Sequence, residues 1–124
     1  MSSARERRIR VLFICHYNRR RSATAERVFA KDPSLDVRSA GTSSEAMVPV
    51  NERMIEWADI VFVMEGEQRA ELERAFPTHP ALAKIVTLDV SDDYHFLDPE
   101  LVSLLKERVG PHLETFRQAP GRRP

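Results

Sequence analysis

Residues 9 to 22 read Ile9-Arg10-Val11-Leu12-Phe13-Ile14-Cys15-His16-Tyr17-Asn18-Arg19-Arg20-Arg21-Ser22. The first half is a nearly continuous apolar run, as expected of a strand buried on both faces. Ser22 to Ala30 is amphipathic, with Ala25, Val28 and Phe29 sharing one face, as in a helix. Between them lies a tight loop that opens on a cysteine and closes, after five intervening residues, on Arg21-Ser22. A thiol at the start of such a loop sits beneath the first turn of a helix, where unpaired N–H groups and the helix dipole favour negative charge. A field that holds a phosphate dianion also lowers a thiol pKa. One loop can thus make both a nucleophile and the site for its substrate.

Working outward, three more strands are predicted at Leu35 to Ser39, Ile60 to Met64 and Lys84 to Leu88. Helices alternate with them, at Asn51 to Ala58 and at Glu67 to Phe76, where Leu72, Ala75 and Phe76 face inward and Pro77 marks the end. A last helix opens at Asp98-Pro99-Glu100, with an N-cap aspartate and proline at the first helical position. Leu101, Leu104, Leu105, Val109, Leu113 and Phe116 recur along it at helical spacing, and Gly110-Pro111 is expected to kink or split it. The alternation predicts an α/β fold of three layers, with a central four-stranded parallel sheet and helices on both faces. Ligands of such sheets bind beyond the carboxyl ends of the strands, where both Cys15 and the segment starting at Asp89 lie. The chain divides into a flexible segment at 1–8, one domain at 9–118 and a disordered tail at 119–124.

No apolar run approaches the length of a bilayer span, and the Arg-rich start is not followed by a signal-peptide core. Cys15 is the one cysteine, which excludes an intramolecular disulfide and fits the reducing cytoplasm. The net charge of zero hides an asymmetry. Residues 1–31 hold nine Lys/Arg against two Asp/Glu, a balance of +7, and the remainder balances at −7. Residues 89–100 contain five acids (Asp89, Asp92, Asp93, Asp98, Glu100) and no Lys or Arg. Either these are solvated charges on two faces, or a basic anion-binding loop is opposed by a carboxylic acid.

Cleaving a phosphomonoester with a thiol requires a thiolate, donors for the non-bridging oxygens, and an acid for the leaving oxygen. Cys15 is the thiolate candidate. Arg21 is the clamp, because a planar guanidinium grips two phosphate oxygens at once. Ser22 donates to the thiolate or caps the helix, and the two roles are compatible. Asn18 stabilises the loop, since asparagine tolerates left-handed turn geometry. Arg19 and Arg20 lie at the rim, as solvated surface or as contacts for a polyanionic substrate. His16 and His95 are histidines that fall close to these segments, while His79 and His112 lack metal-ligand spacing.

The loop resembles that of the low-molecular-weight protein tyrosine phosphatases. The likeness extends to Val11-Leu12-Phe13-Ile14-Cys15, Asn18, Arg21-Ser22, Thr24-Ala25-Glu26, Ser39-Ala40-Gly41-Thr42, Ala58-Asp59-Ile60-Val61 and Met64, and covers most of residues 9 to 109. It is greatest for a shorter bacterial branch, through Asp92-Asp93-Tyr94 and Asp98-Pro99-Glu100-Leu101. The resemblance implies a phosphocysteine intermediate, no metal or cofactor, a phosphorylated protein or small aryl phosphate as substrate, and a loop (His16, Tyr17, Asn18, Arg19, Arg20, Ser22) that binds phosphate. It also implies a general acid in the late acidic stretch. Asp92 takes the matching position and Asp93 is the runner-up, while Asp98 is explained by capping. Tyr94, with Phe96 and Tyr17, is the candidate wall around a phosphotyrosine ring, because the segment between Gly41 and Asn51 offers only Met47, Val48 and Val50. The chain departs from the pattern in having Tyr17 where the family has glycine, Arg20 where it often has a second cysteine, Ala23 for a proline, and no proline after Asp92.

Three other readings compete. Arsenate reduction on this fold needs further cysteines to relay a disulfide. A sugar-transport phosphocarrier does not need Arg21. A phosphate- or nucleic-acid-binding module would use the basic first third, but no aromatic-basic stacking motif accompanies it and the acidic remainder opposes it; Trp57 falls in a predicted helix. The expectation is therefore a monomeric cytoplasmic phosphatase, with no membrane and no nucleic acid among its partners.

Overall fold

The computed structural model describes residues 8–118. The elements run β1 (Ile9–Cys15), α1 (Arg21–Phe29), β2 (Leu35–Gly41), α2 (Glu52–Trp57), β3 (Ile60–Val63), α3 (Gly66–Ala75), a 3-10 helix (Pro80–Lys84), β4 (Ile85–Thr87) and α4 (Pro99–Gln118). All pairings are parallel, and the four strands lie in the order β2-β1-β3-β4. β1 is central because its run is apolar on both faces. Val11 and Phe13 turn to one side, where they pack with Ala25 of α1 and with Leu101, Leu105, Val109 and Leu113 of α4. Leu12 and Ile14 turn to the other, against Ile55 of α2 and Leu72 of α3. This is the predicted three-layer arrangement, and it explains why the strand shows no polar alternation. Phe13 stacks between Phe29 and Phe62, with ring centroids 5.5 and 5.4 Å away.

Every predicted strand and helix is present, with ends moved by a few residues. β2 runs on to Gly41 because Ala40 and Gly41 pair with Ile14 and Cys15. α3 starts at Gly66 behind a capping box in which Glu65 and Gln68 satisfy each other's backbone N–H groups. The 3-10 helix is an element that the sequence reading did not anticipate. Gly110-Pro111 gives no break: α4 is continuous through both. Leu105, Val109 and Leu113 keep one buried stripe across the pair, while Pro111 and Glu107, whose carbonyl the ring leaves unpaired, are both exposed. Trp57 packs at the edge of the second core beneath the Arg38 guanidinium, 4.2 Å from its ring centroid. The expected flexible start and disordered tail fall on residues 1–7 and 119–124, outside the described residues; Arg8, inside them, lies 4.0 Å from Asp36. Among the described residues no helix is long and apolar enough to cross a membrane.

Asp32 ties the α1–β2 turn to the end of α4. Its carboxylate accepts from the Ser34 hydroxyl (2.7 Å) and N–H (2.9 Å) and from Arg117 Nη2 (3.2 Å). The Ser34 hydroxyl above all, then the Ser34 N–H and Arg117, hold its pKa below the ordinary 3.8 against the opposing effect of burial. A lowered folded pKa contributes stability above the unfolded value and loses it as pH falls through the folded one. Asp32→Asn is therefore expected to destabilise the protein at neutral pH by no more than about 1 kcal/mol, as for exposed ion pairs. Urea denaturation should show that difference shrinking as pH falls below 3.8 and through the lowered folded value, where the wild-type carboxylate itself takes up a proton.

Candidate active site

β1 delivers Cys15 to the carboxyl edge of the sheet, and the chain turns through 16–20 into α1. Asn18 makes the turn possible. It adopts a left-handed backbone (φ 59°), and its N–H reaches Cys15 Sγ at 3.2 Å. Its side-chain amide donates to Ser22 Oγ (2.8 Å) and to Ser39 Oγ (2.9 Å). Ser22 Oγ stands 3.0 Å from Sγ. Ser22 Oγ accepts from Asn18, and its one proton has two acceptors in reach, the sulfur and, farther off at 3.4 Å, Ala40 O. Ser39 in turn donates to Glu26. A chain of hydrogen bonds therefore connects Glu26, as terminal acceptor, to the loop around the thiol. Tyr17, in place of the family glycine, carries no backbone strain, because the left-handed position belongs to Asn18.

The end of β2 supports this loop from the side. Thr42 N–H donates to Cys15 O, Ser43 N–H to His16 O and Met47 N–H to Tyr17 O, each at 3.0 Å. Gly41 permits this approach: a Cβ there would lie 2.4 Å from His16 O and 2.6 Å from the Ala46 Cβ. The Ser39-Ala40-Gly41-Thr42 turn thus serves the loop after Cys15 with each of its polar or missing side chains.

Arg21 is 4% exposed. Its Nη1 donates to Glu65 and, at 2.8 Å, to Val90 O, while Nε lies 3.7 Å from Asp92 Oδ1. Val90 and Asp92 belong to the segment after β4, which Arg108 of α4 pins by donating to Leu88 O (2.6 Å) and Asp89 O (3.3 Å). A cavity of about 170 Å³ opens over Cys15, lined by His16, Tyr17, Arg19, Arg20, Arg21 and Asp92 as well.

Most of the sequence-predicted residues meet here. Asn18 and Ser22 lie buried beneath the cavity, touching the sulfur. Tyr17 is 45% exposed, edge-on to the His16 ring (4.3 Å) and beneath the Arg19 guanidinium (5.5 Å). Asp93 is turned aside, accepting from Ser91 Oγ at 3.0 Å. Asp98 caps α4, accepting from Glu100 N–H at 3.0 Å. Tyr94 is not brought to the cavity: it packs on the first core and lines a separate groove with Leu104 of α4. Phe96 lies in another groove, under Arg27. His95 does not line the cavity either. Sequence reasoning missed Glu65, Glu26, Thr42 and Arg108 as supports; only Glu26 and Thr42 carried a signal, by lying within quoted motifs.

Two histidine–glutamate clusters occur among the described residues: His16 with Glu67 and Glu71, and His79 with Glu52 and Glu56. In the second, His79 Nδ1 accepts from Ala81 N–H (3.0 Å), so Nε2 bears the ring proton and points it at the carboxylates. At 3.7 and 3.8 Å these are ionic contacts, and a nitrogen that keeps its proton is not a metal ligand.

No protein-family model matches the sequence, and no curated protein matches it. Solved structures do. A variant of YwlE arginine phosphatase with a phosphorylated active-site serine in place of cysteine is 19% identical, with 93% of this chain and 100% of that one covered and a TM-score of 0.75. The tyrosine phosphatase Wzb from Escherichia coli K30, in complex with phosphate, is 20% identical over 86% of this chain and 96% of its own, with a TM-score of 0.71. A low molecular weight phosphotyrosine phosphatase from Vibrio cholerae O395 is 18% identical over 90% and 99%, with a TM-score of 0.73. The chain has the fold of the low molecular weight protein tyrosine phosphatases.

Gly41→Ala is expected to destabilise the protein by about 1–3 kcal/mol, as overpacking does, and to weaken binding of inorganic phosphate by displacing His16. Gly110→Ala, where an added Cβ meets nothing within 4 Å, is the control. It should instead stabilise α4 by about 0.5–1 kcal/mol. Chemical denaturation and calorimetric phosphate titration of both variants test the contrast.

Proposed function

We propose that the protein is a cysteine-dependent phosphomonoesterase that acts on phosphotyrosine in proteins or on small aryl phosphates. One observation carries this reading: the Cys15 sulfur, with donors from Asn18 and Ser22, lies under a cavity that Arg21 and Asp92 also line. Cys15 attacks phosphorus in line. The S–P bond forms as the ester P–O bond breaks, and Asp92 gives its proton to the departing phenolate. The Asp92 carboxylate then takes a proton from water as that water attacks phosphorus, releasing inorganic phosphate and the thiolate.

Glu65 and Val90 occupy Nη1 of Arg21, while Nη2 makes no hydrogen bond among the described residues. Nε and Nη2 are the parallel pair that fits two phosphate oxygens, so the bracing holds the fork in place for its ligand. The phosphorylated serine at the cysteine position of the YwlE variant supports covalent transfer to this site.

That relative also raises phosphoarginine as a substrate. The charges here favour the aryl ester. Arg19 and Arg20 line the cavity beside Arg21, and neither has a carboxylate within 4.0 Å among the described residues. A phosphoarginine would bring a further guanidinium into that ring of cations. An aryl group would bring a neutral ring to a mouth where Tyr17 and, on the adjoining loop, Met47 (69% exposed) offer apolar surface. A lone thiol as the reacting group suits the reducing cytoplasm.

Hydrolysis of p-nitrophenyl phosphate without added metal should occur in the wild type and vanish in Cys15→Ser. Asp92→Asn should lower turnover of phenyl phosphate about 100-fold or more, and of p-nitrophenyl phosphate far less, because a good leaving group needs little protonation. The same pattern in Asp93→Asn instead would reassign the acid. Peptides bearing phosphotyrosine should be cleaved in preference to peptides bearing phosphoarginine, and the reverse order would overturn the substrate assignment.

A further inference from the structure

His16 follows the nucleophile directly, and it is held from outside the loop. Its Nδ1 lies 3.2 Å from Thr42 Oγ1. The Thr42 hydroxyl donates its one proton to Glu71 Oε1 at 2.9 Å, so it offers the ring only lone pairs. Nδ1 therefore carries a hydrogen. Glu71 Oε1 is itself 3.8 Å from Nδ1, and Glu67 of the same helix completes the cluster. The Tyr17 ring packs edge-on against the imidazole at 4.3 Å and limits its rotation. Nε2 makes no hydrogen bond among the described residues, and His16 is one of the residues that line the cavity.

We propose that Thr42 and Glu71 are positioning residues that fix His16 in its Nδ1–H form and leave Nε2 as a further ligand for the oxyanion over Cys15. The inference rests on reading that cavity as a phosphate site. The assignment does not depend on the ring's charge. A neutral ring accepts at Nε2 from the P–OH of a phosphate monoanion, and an imidazolium donates from Nε2 to a dianion. Nδ1 keeps its hydrogen in both cases, so the same support serves both. The Thr42 N–H bond to Cys15 O belongs to the backbone and survives substitution of the side chain.

The test uses the full chain, with inorganic phosphate as the probe. Nitrogen-15 spectra of the His16 ring should show the Nδ1–H tautomer in the wild type and in Thr42→Ser, and its loss in Thr42→Val. Added phosphate should move the Nε2 resonance. The phosphate inhibition constant and the KM for p-nitrophenyl phosphate should rise about tenfold in Thr42→Val and His16→Ala, with kcat changing far less, and Thr42→Ser should restore them. Combining His16→Ala with Thr42→Val should be no worse than His16→Ala alone, because Thr42 acts through the ring. An Nε2–H tautomer in the wild type, an Nε2 resonance indifferent to phosphate, or additive effects in the double variant would each overturn the proposal. These failures differ from failure of the phosphatase reading itself, which would appear as turnover surviving Cys15→Ser or as a folded wild type without turnover.

Discussion

The side chain of Asn18 holds the site together. A loop that must aim backbone N–H groups at a sulfur needs a residue with positive φ, and a buried turn of that kind needs its polar groups satisfied. Asn18 meets both demands. Its two amide protons go to Ser22 and Ser39, which joins the loop to the first helix on one side and to β2 on the other. From that junction the order of the site follows. Ser22 Oγ stands 3.0 Å from the Cys15 sulfur, and Ser39 passes the connection to Glu26. Gly41 then lets the end of β2 close against His16.

Charge is distributed by the same logic. A basic first third and an acidic remainder meet at the carboxyl edge of the sheet. Arg21 is buried, and a buried guanidinium is tolerable only when it is paired and hydrogen-bonded. Glu65 and the Val90 carbonyl fulfil that need through one nitrogen, so the opposite edge of the fork remains for an anion. Asp92 stands differently, with its side chain 67% exposed at the mouth of the cavity. The two acids near Arg21 therefore divide into one that braces the guanidinium and one that stands in solvent.

Sequence identity to solved proteins of this fold stays near one residue in five, yet the layers superpose along almost the whole chain. In this chain the fold is carried by a pattern: two strands apolar on both faces, helices apolar on one, and a loop whose polar side chains satisfy one another. Tyr17 illustrates the tolerance. Its side chain points outward, so replacing glycine there alters the rim of the cavity and leaves the loop's backbone alone.

The sequence by itself determined the layers and the heart of the site, because both are written in short-range order. An apolar run without alternation can only be a strand covered on both sides, and Cys15, Asn18, Arg21 and Ser22 lie within one loop whose geometry their spacing dictates. Local order also misled: Gly110-Pro111 reads as a break, but a buried stripe on either side carries α4 through. Only the tertiary structure decided which distant residues serve the loop. Glu65, Ser39, Thr42, Glu71 and Arg108 act across tens of residues, and their letters alone do not distinguish them from other surface polar groups. It also decided where the segment after Asp92 goes. The Leu97 N–H is captured by Thr24 of α1, Leu97 takes a left-handed turn, and Tyr94 is laid on the core rather than against the cavity. Proximity in the chain fixed which residues lie near Asp92, but hydrogen bonds made at long range fixed which way they face.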